Sequence, residues 1–237
     1  MSSPFTLRPA AIALGLATLS VAAGCAGSVK GEIDGDKVGQ IDSGFWFYAA
    51  EGDDGAVAQV SLATFGGYCD KAVEVVKDAT DSYERFFDGD IDQDELGEEL
   101  ADTNADLLPS KYWLFDVAFY AEDEDDFVGD DYDFDAEVPT AAAQVCHQSS
   151  ALDLVGLFLE GDLTSEDVEC FYGRDGDLEI TAFGAGGGRV KGRGSVELVD
   201  EDGDRAGDVE YTFSVPYCAA YEEALEDFQD LMAENSG

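Results

Sequence analysis

The sequence is poor in basic residues and in histidine. Only 12 lysines and arginines stand against 54 aspartates and glutamates, and with one histidine the formal net charge at pH 7 is −42. A field of this sign repels phosphate backbones and anionic lipid head groups, which argues against nucleic-acid binding and against lipid binding through the protein body. A zinc site is also disfavoured, because such sites draw on histidine and cysteine.

The chain also lacks a hydrophobic run long enough to span a bilayer. Its longest apolar stretch, residues 10 to 23, follows Arg8 and is interrupted by Gly, Thr and Ser, which predicts a cleaved signal over residues 1–24. The small residues Ala22, Ala23 and Gly24 precede Cys25 and resemble the lipobox of bacterial lipoproteins.

That resemblance implies a mature chain that starts at Cys25 and is acylated there, with residues 25–28 as a flexible tether and the membrane as a partner through the anchor. It also implies an exported protein, at the outer membrane or cell surface. The alternative is an ordinary signal peptide cut near Ala23 or Ala26, which leaves a free cysteine.

Cysteine is scarce, and its number is informative. Once Cys25 is set aside, four cysteines remain, and an even number in an exported chain indicates two disulfides. Three pairings are possible. We favour Cys69 with Cys218, which would tie the helical region to the last strand, and Cys146 with Cys170, which would close a local loop.

Hydrophobic residues make up 45% of the chain and aromatic residues 11%, too much for a disordered acidic tail. A single folded domain is therefore expected over residues 29–237. The carboxylates favour cations or a cationic or protein partner, although salt adaptation alone produces the same composition.

Period-two patterns predict strands, and period-3.6 patterns predict helices. A hairpin is expected over 29–41, and a helical insert of two antiparallel helices over 69–107, with Asp92 and Glu95 as a capping box. Residues 122–137 are expected to form an acidic surface loop with at most one edge strand. The other expected strands are 45–50, 56–64, 111–120, 178–183, 189–199 and 208–215, with 141–147, 152–159 and 165–171 as further short elements and a terminal helix over 221–232.

The clearest alternation lies in residues 189–199. Val190, Gly192, Gly194, Val196 and Leu198 share one face of this strand, which predicts one buried and one wet face. On the other face Arg189, Lys191 and Arg193 are expected to pair with cross-strand acids such as Glu179 or Glu210.

The segments Val-Lys-Gly-Glu-Ile-Asp-Gly, Gly-Arg-Val-Lys-Gly-Arg-Gly-Ser-Val-Glu-Leu and Phe-Ser-Val-Pro-Tyr-Cys are similar to those of uncharacterised β-rich bacterial surface lipoproteins. The resemblance implies an antiparallel β-rich fold and brings no activity with it. The predicted fold class is α+β: an antiparallel β-sandwich or meander with an inserted αα-hairpin and a C-terminal helix.

One acidic segment has the spacing of a calcium loop. Its acids fall at positions 1, 3, 5, 7 and 12 of twelve, but Gln93 stands at position 6, where the sharp turn needs glycine. The favoured interpretation is a solvated turn, with calcium as the alternative ligand. The acids are Asp88, Asp90, Asp92, Asp94 and Glu99.

No catalytic residue is predicted. His147 lacks an accompanying nucleophile motif, and paired carboxylates for glycoside hydrolysis cannot be singled out among 54 acids. The leading hypothesis is a non-enzymatic, lipid-anchored envelope or surface protein with a binding or structural role and no cofactor. The alternatives are a calcium-dependent binding module and an extracytoplasmic hydrolase.

Overall fold

The computed structural model describes residues 26–52, 55–121, 127–128, 131–134, 140–148, 168–184 and 187–235. These residues form ten strands and three helices. The strands are β1 Gly27–Ile33, β2 Asp36–Lys37, β3 Ser43–Gly52, β4 Gly55–Ala63, β5 Tyr112–Ala121, β6 Asp131–Asp133, β7 Ala141–Gln148, β8 Val168–Ala182, β9 Arg189–Val199 and β10 Arg205–Pro216. The helices are α1 Tyr68–Phe87, α2 Gln93–Leu107 and α3 Ala219–Asn235.

All ten strands belong to one antiparallel sheet. Its order is β2-β1-β10-β9-β8-β7-β5-β4-β3, with β6 paired to β8 off this path. The sheet curls into a half-barrel, and its two sides meet where Trp46 bridges Tyr217 and the Cys218 amide donates to the Trp46 carbonyl at 2.9 Å. The α+β class with a β-rich antiparallel core is therefore confirmed.

Local sequence explains where the elements begin and turn. β1 and β2 form the hairpin expected within residues 29–41, with its turn at Asp34-Gly35. Both turn residues have positive φ, 49° and 85°, as a tight two-residue turn requires. The capping box at the start of α2 is present: the Asp92 carboxylate accepts from the Glu95 amide at 3.0 Å, and Glu95 accepts from the Asp92 amide at 3.1 Å.

The core has two parts, one on each face of the sheet. The inner face of the half-barrel holds a cluster that includes Trp46, Phe115 and Leu198. The outer face of β3, β4 and β5 is covered by the helices and holds a second cluster around Phe45, Tyr68 and Tyr221. Between Tyr68 and Asn235, no helix of the described residues is long and apolar enough to cross a membrane.

Several predictions need correction in detail. Residues 25–28 were expected to be a flexible tether, but Gly27 and Ser28 belong to β1 and Ala26 is only 6% exposed. The segments predicted near 165–171 and 178–183 belong to one strand, β8, as far as the structure describes them. The possible element at 152–159 and most of the acidic loop at 122–137 lie outside the described residues.

Candidate functional site

The five acids of the calcium-like segment have separate partners or positions in the turn between α1 and α2. The Asp92 carboxylate accepts the amides of Asp94 and Glu95 as the cap of α2, and Glu99 accepts from Arg85 Nη1 at 2.6 Å. Asp88 ends α1, and Asp90 is exposed. Among the described residues, no group of three or more His, Cys, Asp or Glu side chains could hold a metal ion. Calcium binding by this segment stays a prediction.

The single histidine is stacked against an aromatic ring. His147 lies opposite Trp113 in the β5–β7 register, with ring centroids 4.3 Å apart and planes 17° apart. Its neighbour Cys146 is bonded to Cys170, which lies directly opposite on β8. This cysteine therefore offers no free thiol beside the imidazole.

Both favoured disulfides are present. Cys69 in the first turn of α1 is bonded to Cys218, which lies between β10 and α3. Cys146 and Cys170 join the neighbouring strands β7 and β8. The first bond fixes the helices to the closing edge of the half-barrel, and the second reinforces the middle of the sheet.

One part of the outer sheet surface is covered by none of the three described helices. We call it the open face: the outward side chains of β1, β10, β9 and β8. Four acids lie side by side across these strands in register, in the order Glu32, Asp208, Glu197 and Asp175. The next outward row is Lys30, Glu210, Ser195 and Asp177.

All members of these two rows except Glu32 line a groove of about 860 Å³. Its floor includes Gly31 and Gly176, where a Cβ atom would lie 2.2 Å from the Asp208 carbonyl and 2.1 Å from the Ser195 carbonyl. The floor is therefore backbone, and larger residues at these two glycines would push the strands apart. The groove can hold a ligand against main-chain as well as side-chain oxygens.

Arginines offset part of the negative charge in this groove. Arg174 Nε donates to Glu197 at 2.8 Å, and Arg205 Nε lies 2.9 Å from the other Glu197 oxygen. The hydrogen bond from Arg174, aided by the charges of both arginines, holds the pKa of the Glu197 carboxyl below its usual value. Ser195 donates to Asp177 at 2.7 Å. The groove thus presents a mixed, hydrogen-bonding surface suited to a cationic or polar partner.

Along the open face, charge reverses toward the start of β9. We call Arg189, Lys191 and Arg193 the basic row. Arg193 Nη2 lies 2.7 Å from Glu179, so the predicted cross-strand pair forms there. Glu210 lies opposite Ser195 instead, and Arg189 donates to Ser214. Within the described residues, neither Arg189 nor Lys191 makes an ion pair.

A half-buried polar group, Asp116, was not predicted from the sequence. Asp116 lies on the outward side of β5 directly opposite Ser61, whose hydroxyl donates to it at 2.5 Å. Burial raises the pKa of the Asp116 carboxyl to about 6, although hydrogen bonds from Ser61 and Gln59 act against the rise. The charge of Asp116 adds to burial in raising the pKa of Tyr68 and Tyr221.

This carboxyl lies between the sheet and the first turns of α1 and α3, which carry Tyr68 and Tyr221. The Tyr68 hydroxyl is fully buried, and it has no hydrogen-bond partner among the described residues. The signal that could have found the site is in the sequence: Asp116 is the one acid in an otherwise aromatic and apolar strand. An acid in such a strand needs hydrogen-bond donors if helices are to cover it.

Comparisons with known proteins add no relative to this description. The sequence matches no protein-family model, and neither the curated proteins nor the solved structures contain a match. Any function proposed for the chain therefore rests on its own residues and their geometry.

Proposed function

We propose that the chain is cleaved before Cys25, acylated on that cysteine, and anchored by this lipid at the outer membrane or cell surface. Its folded domain has a binding or structural role rather than an enzymatic one. The residues that resemble a lipobox support the cleavage. The position of β1, the two disulfides and the open face support the other parts of the proposal.

The observation that carries the proposal is the position of β1, the first strand of the described residues. The Ala26 carbonyl accepts from the Ser214 amide at 2.7 Å, and Gly27 pairs with Phe213 on β10. Among the residues that the structure describes, the sheet starts at Gly27, two residues after Cys25. Cleavage before Cys25 would remove the proposed targeting segment and leave every described strand of this sheet intact.

The disulfides agree with export. Cysteine pairs of this kind persist in oxidising compartments and are rare in the reducing cytosol. Both pairs are structural in position: one joins helix to sheet edge, and the other joins neighbouring strands. A domain of this size outside the cell gains stability from each of them.

The open face supports a binding role. It is the part of the outer sheet surface that the described helices leave uncovered. Its groove combines carboxylates, Lys30 and backbone, and Arg174 and Arg205 pair with Glu197 in the lining. A cationic or protein partner fits this surface by charge. The lining residues that the structure describes include neither histidine nor cysteine, so a nucleophile–imidazole pair does not form in this groove.

The anchor is tested with Cys25→Ser in a host that processes lipoproteins. The mass of the wild-type mature chain should correspond to a start at Cys25 plus acyl groups, and the protein should take up labelled fatty acid and sediment with membranes. The Cys25→Ser variant should lose the label and leave the membrane fraction.

The matched control is Ser28→Ala, three residues away. Ser28 is exposed enough that its loss removes only a hydroxyl contact with Thr212 at 2.9 Å, so labelling should persist. A wild-type chain that starts elsewhere and carries an unmodified Cys25 thiol would contradict the proposal.

A further inference from the structure

The start of β1 is held directly in the sheet, with no flexible segment between Ala26 and the first strand pair. Ala26 is 6% exposed and held by the hydrogen bond from the Ser214 amide, and Gly27 and Ser28 continue directly into the sheet. The Cα atoms of Cys25 and Ala26 are covalently fixed about 3.8 Å apart across a trans peptide bond. If Cys25 carries the lipid, the end of the sheet at Ala26 is held at the membrane surface.

The basic row lies at this same end of the sheet. Lys191 is opposite Ser214, the residue that binds Ala26, and Arg189 is opposite Pro216. Because neighbouring strands are about 4.8 Å apart, β9 is separated from β1 by about 10 Å, with β10 between them. If β1 is held at the membrane, an extended lysine or arginine side chain on β9 can reach the phosphates of nearby lipids.

The charge of this end contrasts with that of the chain. A protein with 54 acidic and 12 basic residues would place few bases together by chance, yet three basic residues alternate along β9 on one face. Arg193 has Glu179 as its partner, while Arg189 and Lys191 face no acid across the ladder. Two of the three bases in the row are therefore left without a described acidic partner.

From this arrangement we infer that Arg189 and Lys191, with Arg193 beside them, contact anionic phospholipid head groups of the membrane that holds the Cys25 anchor. The inference rests on the proposed acylation and adds an orientation to it. The lipid keeps the domain at the bilayer, and the basic row selects the side that faces it. An acyl anchor joined to a basic patch is a recurrent two-part membrane attachment.

The test uses the full acylated protein in phosphatidylcholine vesicles with and without phosphatidylglycerol. A photoactivatable phosphatidylglycerol reports contacts, and the crosslinked peptides are mapped by mass spectrometry. We expect crosslinks concentrated in residues 187–193 and at the start of β1. The triple variant Arg189→Gln/Lys191→Gln/Arg193→Gln should lose most crosslinks in 187–193 while remaining acylated.

The control is Lys37→Gln/Lys77→Gln/Lys111→Gln, which removes the same charge from exposed positions elsewhere. It should retain the crosslink pattern, as should the charge-keeping variant Lys191→Arg. Crosslinks that map to residues 122–139 or to the helices, or that persist unchanged in the first triple variant, would overturn the inference while leaving the anchor intact. An unacylated mature chain would overturn both.

Discussion

β5 and β9 belong to the same sheet but have different surroundings. In the first half of β5 both faces are buried: Trp113 and Phe115 point into the half-barrel, while Tyr112 and Leu114 pack under the helices. In β9 only the inward residues, such as Val190 and Leu198, are buried, and the basic row is exposed.

The difference shows what the helices contribute. α1 and α3 cover the outer face of β3, β4 and β5, so a strand there has an almost continuous aromatic and aliphatic sequence. None of the described helices covers β9, and this strand keeps strict alternation. The hydrophobic pattern of a strand therefore reports how many of its faces are covered. Substitutions in the helix-covered region and on the open face should accordingly differ in their effect on stability.

The largest effect is expected from the disulfide that holds the helices to the sheet. Cys69→Ser/Cys218→Ser opens a connection spanning 149 residues, for which the chain-entropy relation gives a loss of about 5 kcal/mol in the free energy of unfolding. Urea denaturation of the soluble domain from Ala26 measures it.

The Cys146→Ser/Cys170→Ser variant provides the comparison, since its separation is 24 residues and the same relation gives about 3 kcal/mol. The first variant should also expose Tyr68 and Tyr221 to solvent at lower urea than the second does. If both variants lose the same free energy of unfolding, and if Tyr68 and Tyr221 become exposed at the same urea concentration in both, the helical cover is held by packing alone.

The next effect concerns a single side chain in each region. Phe45 is fully buried under the helices, with ring centroids 5.0 Å from Tyr68 and 4.9 Å from Tyr221. Phe45→Ala should lower the free energy of unfolding by about 3–5 kcal/mol because it leaves a cavity. Thr212→Ala on the open face should change it by no more than about 0.5 kcal/mol. Similar losses for both variants, measured by urea denaturation, would contradict the contrast.

Much of the local structure could be predicted from the sequence, because local patterns determine it. The three-and-four spacing of apolar residues predicts a helix from Cys69, one residue after the observed start of α1 at Tyr68, and Asp92 with Glu95 identifies the start of α2. The alternation along β9 predicts its two faces correctly. Each of these features depends on residues within one or two turns of one another.

Long-range features could not be predicted in the same way. The bridge between Trp46 and Tyr217 joins residues far apart in the chain, and no local pattern specifies it. The rows of the open face depend on the register of four strands, two of which are separated by most of the chain. The predicted start of the domain at residue 29 is also wrong. Small residues such as Ala26 and Gly27 fit a tether and a tightly paired strand equally well, so their sequence does not distinguish the two.

The smallest effect, and the most specific, concerns Asp116. It is the acid in the helix-covered part of β5, half-buried beside Ser61 and near the hydroxyls of Tyr68 and Tyr221. Burial raises its pKa from 3.8 to about 6, so the folded protein binds this proton more tightly than the unfolded chain does. Its contribution to stability is therefore complete below pH 3.8 and is lost as pH rises through about 6.

Asp116→Asn should remove this pH dependence. The amide cannot ionise and can still accept from Ser61, so at pH 7 the variant should be more stable than the wild type by about 2 kcal/mol, since one pKa unit corresponds to about 1.4 kcal/mol and some solvent contact remains. Near pH 4 the advantage should vanish. The control is Asp177→Asn, which makes the same substitution at an exposed acid that also accepts from a serine. Unfolding measured across this pH range isolates the covered carboxyl, because the many surface acids are shared by all three proteins. If Asp116→Asn gains no stability at pH 7, the carboxyl is well solvated, and the helical cover over this part of β5 is looser than that over Phe45.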